Sequence, residues 1–331
     1  MPRRGGRAGH AAPRATVGVW TPKRSRAPQT TPLYSRRAMA HRLQIVSTDG
    51  RLLDVELTGP EAGRALVFHT GTPGAGKIFA PWAQAGAERN LRHVAYSRPG
   101  YGRSDRRRGR AVADCVADVA AIADELGIDR FFTVGWSGGG PHALACAALL
   151  PERTIAAATL AGVAPRNAAG LDWLEGMGDE NIEEFGAAQA GEQQLHAYLE
   201  RNATALANAS GAELHASLGD LLSGVDSGAL TGEFADYLAL SIRAGLAHGT
   251  WGWFDDDMAF MRDWGFELEA IARPVTIWQG GHDRFVPAAH GQWLAGHVAG
   301  ARPQLLAEHG HLSIVIGSYG RVLDELIASA G

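Results

Sequence analysis

Gly135-Trp136-Ser137-Gly138-Gly139 joins an unbroken apolar run, Phe131 to Trp136, to a run of small residues with helical spacing, Pro141 to Leu150. A strand that turns sharply into a helix crowds its own backbone, so residues without a Cβ are needed around the corner. A serine held at such a corner presents its Oγ outward. The helix that opens beside it aims free N–H groups and its positive dipole end at the same point, where negative charge would develop in a reaction. The pattern G-x-S-x-G in this strand-to-helix setting reads as a nucleophile elbow, with Ser137 as the candidate nucleophile.

The alternation continues on both sides of the elbow. Arg42 to Thr48 and Arg51 to Leu57 flank Asp49-Gly50, a dipeptide suited to a tight hairpin turn, and predict two antiparallel opening strands. Ala65 to His69, His93 to Ser97, Phe131 to Trp136, Thr154 to Val163, Val275 to Gln279 and Gln304 to Leu306 read as further strands. Helices are predicted near Ile78 to Arg89, Val112 to Leu126, Pro141 to Leu150, Ala289 to Val298 and Tyr319 to Ala328. This order implies an α/β fold, a mainly parallel doubly wound sheet of about eight strands with reactive groups at the strand carboxyl ends. From Ala164 to Glu269 the alternation stops and the composition turns helical with Gly and Ser breaks. Residues 164–269 are therefore expected to be a helical lid, inserted between a first part of the core at 39–163 and a second at 270–331.

Composition narrows the function classes. With 46% hydrophobic and 20% charged residues the chain can bury a large core. Residues 1–38 hold nine of the 31 basic residues and none of the 35 acidic ones, which leaves everything after them more acidic than the overall net charge of -4. An acidic body argues against nucleic-acid binding, and the Pro- and Arg-rich leader has no apolar periodicity, so disorder is expected there. The leader also lacks the apolar stretch of a secretory signal, and an over-long start with the true start at Met39 is the preferred reading. No run of about eighteen apolar residues occurs, so no membrane partner is expected. The only cysteines, Cys115 and Cys146, fall in Ala-rich helical stretches and read as small buried hydrophobes of a cytoplasmic protein.

A serine hydroxyl is a poor nucleophile at neutral pH, so it needs a base to take its proton and a carboxylate to orient that base. Asp283 stands in the loop after the predicted strand Val275 to Gln279, and no carboxylate between Val163 and Leu171 competes with it. His309 and His311 both follow the last strand and are both candidates for the base. The oxyanion requires two N–H donors, for which Gly138 and, in the loop His69-Thr70-Gly71-Thr72-Pro73-Gly74, Thr72 are the candidates. The histidines show no metal-ligand spacing, so neither a metal nor another cofactor is expected. Asp255-Asp256-Asp257, ahead of Met258 to Met261, reads as the N-cap and first turn of a helix.

Gly71-Thr72-Pro73-Gly74, Ser97-Arg-Pro-Gly-Tyr-Gly-Arg-Ser104, the elbow, Asp283 and Gly310-His311 together resemble the α/β-hydrolase superfamily, in its serine-nucleophile, proline-iminopeptidase-like and esterase-like branches, over roughly Met39 to Ala330. In the resembling enzymes the base follows a glycine, which implies His311 rather than His309. The resemblance implies a Ser137–His311–Asp283 triad and cleavage of an ester or related acyl bond of a small, partly apolar substrate. Thr70 departs from the pattern, since the superfamily usually has His at that place. Dehalogenase and epoxide-hydrolase branches use Asp as nucleophile, and Ser137 argues against both. Trp136, Trp251, Trp253 and Phe254 are the candidate substrate-binding residues, and Glu183, Glu184 or Asp257 could meet an amine. Amide or peptide cleavage, cofactor-free haloperoxidase action and ligand reception without turnover are the alternatives the same residues leave open.

Overall fold

The computed structural model describes residues 40–330; the basic leader 1–38 and the start at Met39 lie outside them. The apolar runs form one eight-stranded sheet: β1 (His41–Val46), β2 (Leu52–Thr58), β3 (Arg64–His69), β4 (Leu91–Tyr96), β5 (Phe131–Trp136), β6 (Thr154–Leu160), β7 (Val275–Gly280) and β8 (Arg302–Leu306). Their order is β1-β2-β4-β3-β5-β6-β7-β8. β1 with β2 and β2 with β4 pair antiparallel, and all later neighbours pair parallel. The parallel strands are bridged by α1 (Ala80–Glu88), α2 (Cys115–Glu125), α3 (Gly140–Leu149) and α10 (Ala288–His297), and the described chain closes with α11 (His311–Ala328). Between β6 and β7 run six helices, α4 (Asp179–Ala190), α5 (Glu192–Asn208), α6 (Leu214–Leu218), α7 (Gly224–Ala229), α8 (Gly232–Gly245) and α9 (Trp251–Phe260).

Alternation along the central strands divides the core between the two faces of the sheet. On β3, Leu66 and Phe68 pack with Trp82 of α1 and Tyr319, Val322 and Leu323 of α11. Ala65 and Val67 point the other way, to Val119 and Ile122 of α2 and Leu144 of α3. Both faces are covered, which is why β5 is buried from end to end and reads as an unbroken apolar run rather than an alternating one. Cys115 and Cys146 are buried and free. Among the described residues no helix is long and apolar enough to cross a membrane.

Three boundaries differ from the sequence reading by more than two residues, each for a tertiary reason. β6 ends at Leu160 instead of Val163, because Ala161 adopts φ 49° and leaves the sheet plane. α11 starts at His311 instead of near Tyr319, so His311 is the first residue of a helix and not a loop residue. Asp255, Asp256 and Asp257 lie inside α9, not at its N-cap and first turn; Thr250 precedes the helix, and all three aspartates are buried. Their role is set by what they face, as described below.

Candidate active site

The elbow forms because β5 delivers its last residue, Trp136, directly into a tight 3-10 turn, Ser137–Gly139, that opens α3. Ser137 takes φ 54°, a left-handed conformation that an L side chain adopts reluctantly and that persists only when its surroundings enforce it. Those surroundings leave no room for side chains. A Cβ on Gly135 would stand 2.1 Å from the Gly139 carbonyl oxygen, and one on Gly139 would stand 2.0 Å from that of His69. Pro141 sits in the first turn of α3, where its missing N–H costs nothing. Gly139→Ala should therefore push α3 off β3 and destabilise the protein by about 3 kcal/mol. A urea midpoint unchanged from wild type would show that the elbow tolerates a side chain there.

Asp283 and His311 come together across the carboxyl ends of β7 and β8. His311 Nδ1 and Asp283 Oδ2 are 2.8 Å apart, both side chains buried. The same Oδ2 accepts from Gln279 Nε2 at 3.1 Å, and Oδ1 accepts from the Phe285 and Val286 amides at 2.9 and 2.8 Å. With all of these donors aimed at it, the carboxylate is fixed as an acceptor, so Nδ1 of His311 carries the proton and Nε2 is left as the basic nitrogen. Burial pushes the Asp283 carboxyl up, while His311 and the Val286 amide pull it back. Phe285 stacks on the imidazole at 4.5 Å between ring centroids and closes it off from one side. His309, the other candidate, has no such partner, and its buried Nδ1 is unbonded.

Sequence reading missed Asp226, on α7. Its Oδ2 accepts from the His311 amide at 2.8 Å, and its Oδ1 from the amides of Leu312 and Ser313, each at 2.9 Å. A fully buried side chain from the inserted helices thus caps α11 and fixes the backbone of His311, which explains both the early start of the helix and the glycine before it. A Cβ on Gly310 would stand 2.2 Å from Asp226 Oδ2. Asp226→Ala should cost about 1–2 kcal/mol as a lost cap. Because it loosens His311, the candidate base, it should also lower kcat more than it raises KM; unchanged kcat would show that His311 is held by Asp283 alone.

The loop after β3 runs against the elbow serine, Ser137. A Cβ on Gly71 would lie 3.2 Å from Ser137 Cβ and 3.7 Å from its Oγ, and one on Gly138 would lie 2.4 Å from Thr72 Oγ1. Thr72 and Gly138 are therefore immediate neighbours beside Ser137. Where the superfamily pattern would place a histidine, Thr70 offers its carbonyl to Arg98 Nη1. Arg98 Nη2 also donates to Thr72 Oγ1 at 3.1 Å and pairs with Asp256 Oδ2 at 2.5 Å. Thr72 Oγ1 and Tyr101 Oη donate to that same oxygen at 2.7 and 2.9 Å, and Arg110 pairs with Asp256 Oδ1 at 2.6 Å. Burial alone would raise the Asp256 carboxyl, but Arg110 and Arg98 outweigh it and hold the group well below the usual carboxylate range. Asp255 pairs with Arg106 at 2.7 Å. The loop is thus anchored by an arginine from the loop after β4 and an aspartate from α9.

Ser137, Gly138, Thr72 and His311 open onto one cavity of about 180 Å³ walled by α4, α5, α8 and α9. Of the aromatic residues expected to meet a substrate, Trp136 and Trp253 line it. Trp251 and Phe254 do not. Trp251 stacks on His196 at 4.5 Å under the Arg106 guanidinium, and Phe254 packs behind it, because their turn of α9 faces α5 and the Arg106 loop. Met177, Phe185 and Phe260 line the cavity instead. Among the described residues no group of three His, Cys, Asp or Glu side chains is arranged to hold a metal ion.

An eight-stranded sheet of this order, an elbow serine in the left-handed conformation and a histidine–aspartate pair at the strand ends define an α/β-hydrolase architecture. The sequence profile of the alpha/beta hydrolase fold matches residues 64–318, and the chain belongs to that family. It is 30% identical over 115 residues to an uncharacterized hydrolase of Bacillus subtilis (strain 168), covering 35% of this chain and 39% of that one. It is 30% identical over 148 residues to a non-heme chloroperoxidase of Streptomyces lividans, covering 44% of this chain and 54% of the relative. These matches thus span about two fifths to half of the curated relatives. Among solved structures, bromoperoxidase from Bacillus anthracis superposes with a TM-score of 0.66 at 19% identity, over 87% of this chain and all of that one, a likeness of fold.

Proposed function

We propose that the protein is a serine hydrolase that cleaves an ester or related acyl bond of a small, partly apolar molecule through an acyl-enzyme. The observation that carries this reading is the 2.8 Å contact of His311 Nδ1 with a four-times-bonded Asp283, which leaves Nε2 free to serve a serine on the wall of the same cavity. His311 takes the Ser137 proton as Oγ attacks the carbonyl carbon. The amides of Gly138 and Thr72 receive the oxyanion, and His311 passes the proton to the leaving oxygen. Water activated by the same nitrogen then releases the acid and restores the serine.

The cavity of about 180 Å³, lined by Trp136, Met177, Phe185 and Phe260, suits a short apolar acyl group. Hydrolysis of p-nitrophenyl butyrate and of butyryl p-nitroanilide by the purified protein tests the assignment. The ester should turn over at least about tenfold faster than the anilide, whose nitrogen is the poorer leaving group. An anilide rate equal to or above that of the ester would replace this reading with amide cleavage, and no turnover of either would leave a ligand receptor.

A further inference from the structure

A single hydrogen bond does not fix the plane of a ring. The contact of His311 Nδ1 with Asp283 Oδ2 sets one edge of the imidazole but leaves it free to swing about the line between those two atoms, and such a swing moves Nε2 relative to Ser137. Phe285 lies in the path of that swing. Its ring is parallel to the imidazole within 21° at 4.5 Å between centroids, whereas Trp136, the next described ring, is 5.9 Å away and tilted by 37°. Phe285 is half-buried and lines the cavity that holds Ser137.

The backbone of Phe285 is tied on both sides. Its amide donates to Asp283 Oδ1 at 2.9 Å, so the carboxylate that orients the imidazole also sets where the stacking residue starts. Its carbonyl accepts at 2.9 Å from Nδ2 of Asn181, in the first turn of α4. The neighbouring Arg284 carbonyl accepts from the Gly178 amide, just ahead of the same helix, at 2.8 Å. The inserted helices therefore hold the segment that places the phenyl ring. A flat aromatic face resists rotation of the ring it covers, and it favours the positive charge that an imidazole gains on taking a proton.

We propose that Phe285 is a positioning residue that holds the plane of the His311 imidazole, and that Asn181 anchors it from the inserted helices. The consequence for turnover rests on the acyl chemistry proposed above; the hold on the imidazole does not, and the two are separable by experiment. Leucine at 285 fills much of the same space without a flat face, and tyrosine keeps the face. Phe285→Leu and Phe285→Tyr therefore separate stacking from filling without opening a cavity as large as alanine would.

Proton NMR of the full chain at one fixed, neutral pH reads the Nδ1–H of His311 through its exchange with water, the resonance being identified by its absence from His311→Ala. Exchange should be slow in wild type and in Phe285→Tyr and at least about fivefold faster in Phe285→Leu, the yield of one lost aromatic pair. Asn181→Ala should speed it in the same direction. With p-nitrophenyl butyrate, kcat should fall at least about tenfold in Phe285→Leu, with KM changed less, and should recover in Phe285→Tyr. Exchange in Phe285→Leu equal to that of wild type overturns the positioning role whatever the turnover, and unchanged exchange in Asn181→Ala overturns the anchor. A loss carried by KM, or one that Phe285→Tyr fails to rescue, overturns the consequence for turnover. No turnover by wild type counts against the acyl chemistry, while the resonance still decides the hold on His311.

Discussion

Ser137→Ala should lower p-nitrophenyl butyrate turnover by roughly 10⁴- to 10⁶-fold, with KM nearly unchanged. Under the proposed mechanism the loss is confined to kcat, because Oγ would form the acyl bond while the rest of the cavity wall, which binds the substrate, is unchanged. His311→Ala should cost about as much, since a hydroxyl without its base is a poor nucleophile, and the double variant should lose little more than either single one. Asp283→Asn should fall by about 10⁴-fold, because an amide that donates where the carboxylate accepted would turn the imidazole to the wrong tautomer. Additive losses across Ser137 and His311 would show that the two residues do not act on the same atoms.

The largest loss of stability is expected from Asp256→Asn. Asp256 is fully buried and accepts from Arg98, Arg110, Tyr101 and Thr72. Removing its charge leaves two guanidiniums, 2% and 4% exposed, with no carboxylate between them, and an unpaired buried charge costs about 3–5 kcal/mol. Urea denaturation should show a lower midpoint with an unchanged slope. The same substitution frees the Thr70–Thr72 loop, so at a temperature where the variant is folded its kcat should fall further than KM rises. A shift below about 1 kcal/mol would mean that the arginines find other partners and that the network is not what fixes the loop.

How much of this was legible beforehand follows from the range of the interactions involved. The elbow could be read because its demands are local: a corner between β5 and α3 needs glycine at 135 and 139 whatever else the chain does. The parallel sheet could be read because strands covered on both faces are continuous apolar runs. The run Asp255 to Asp257 looks in sequence like a local cap, and only the distant partners, Arg106 of Asp255 and Arg98 and Arg110 of Asp256, show that it is buried tertiary structure. The 85 positions between Asp226 and His311 hide the cap of α11 for the same reason. The signals that existed were Gly310 before His311, which marks a close approach, and the unusual count of arginines from 98 to 110, which called for buried acids. Trp251 and Phe254 were placed on the cavity by type alone, and the helical phase of α9 turns them away from it while Trp253 and Asp257 face inward.

Whether Ser137 is an activated nucleophile is read directly by a fluorophosphonate probe. Mass mapping of the labelled full chain should find one adduct, on the peptide containing Ser137, absent from Ser137→Ala and strongly slowed in His311→Ala. An adduct on another serine, or labelling that proceeds equally well without His311, would contradict that role.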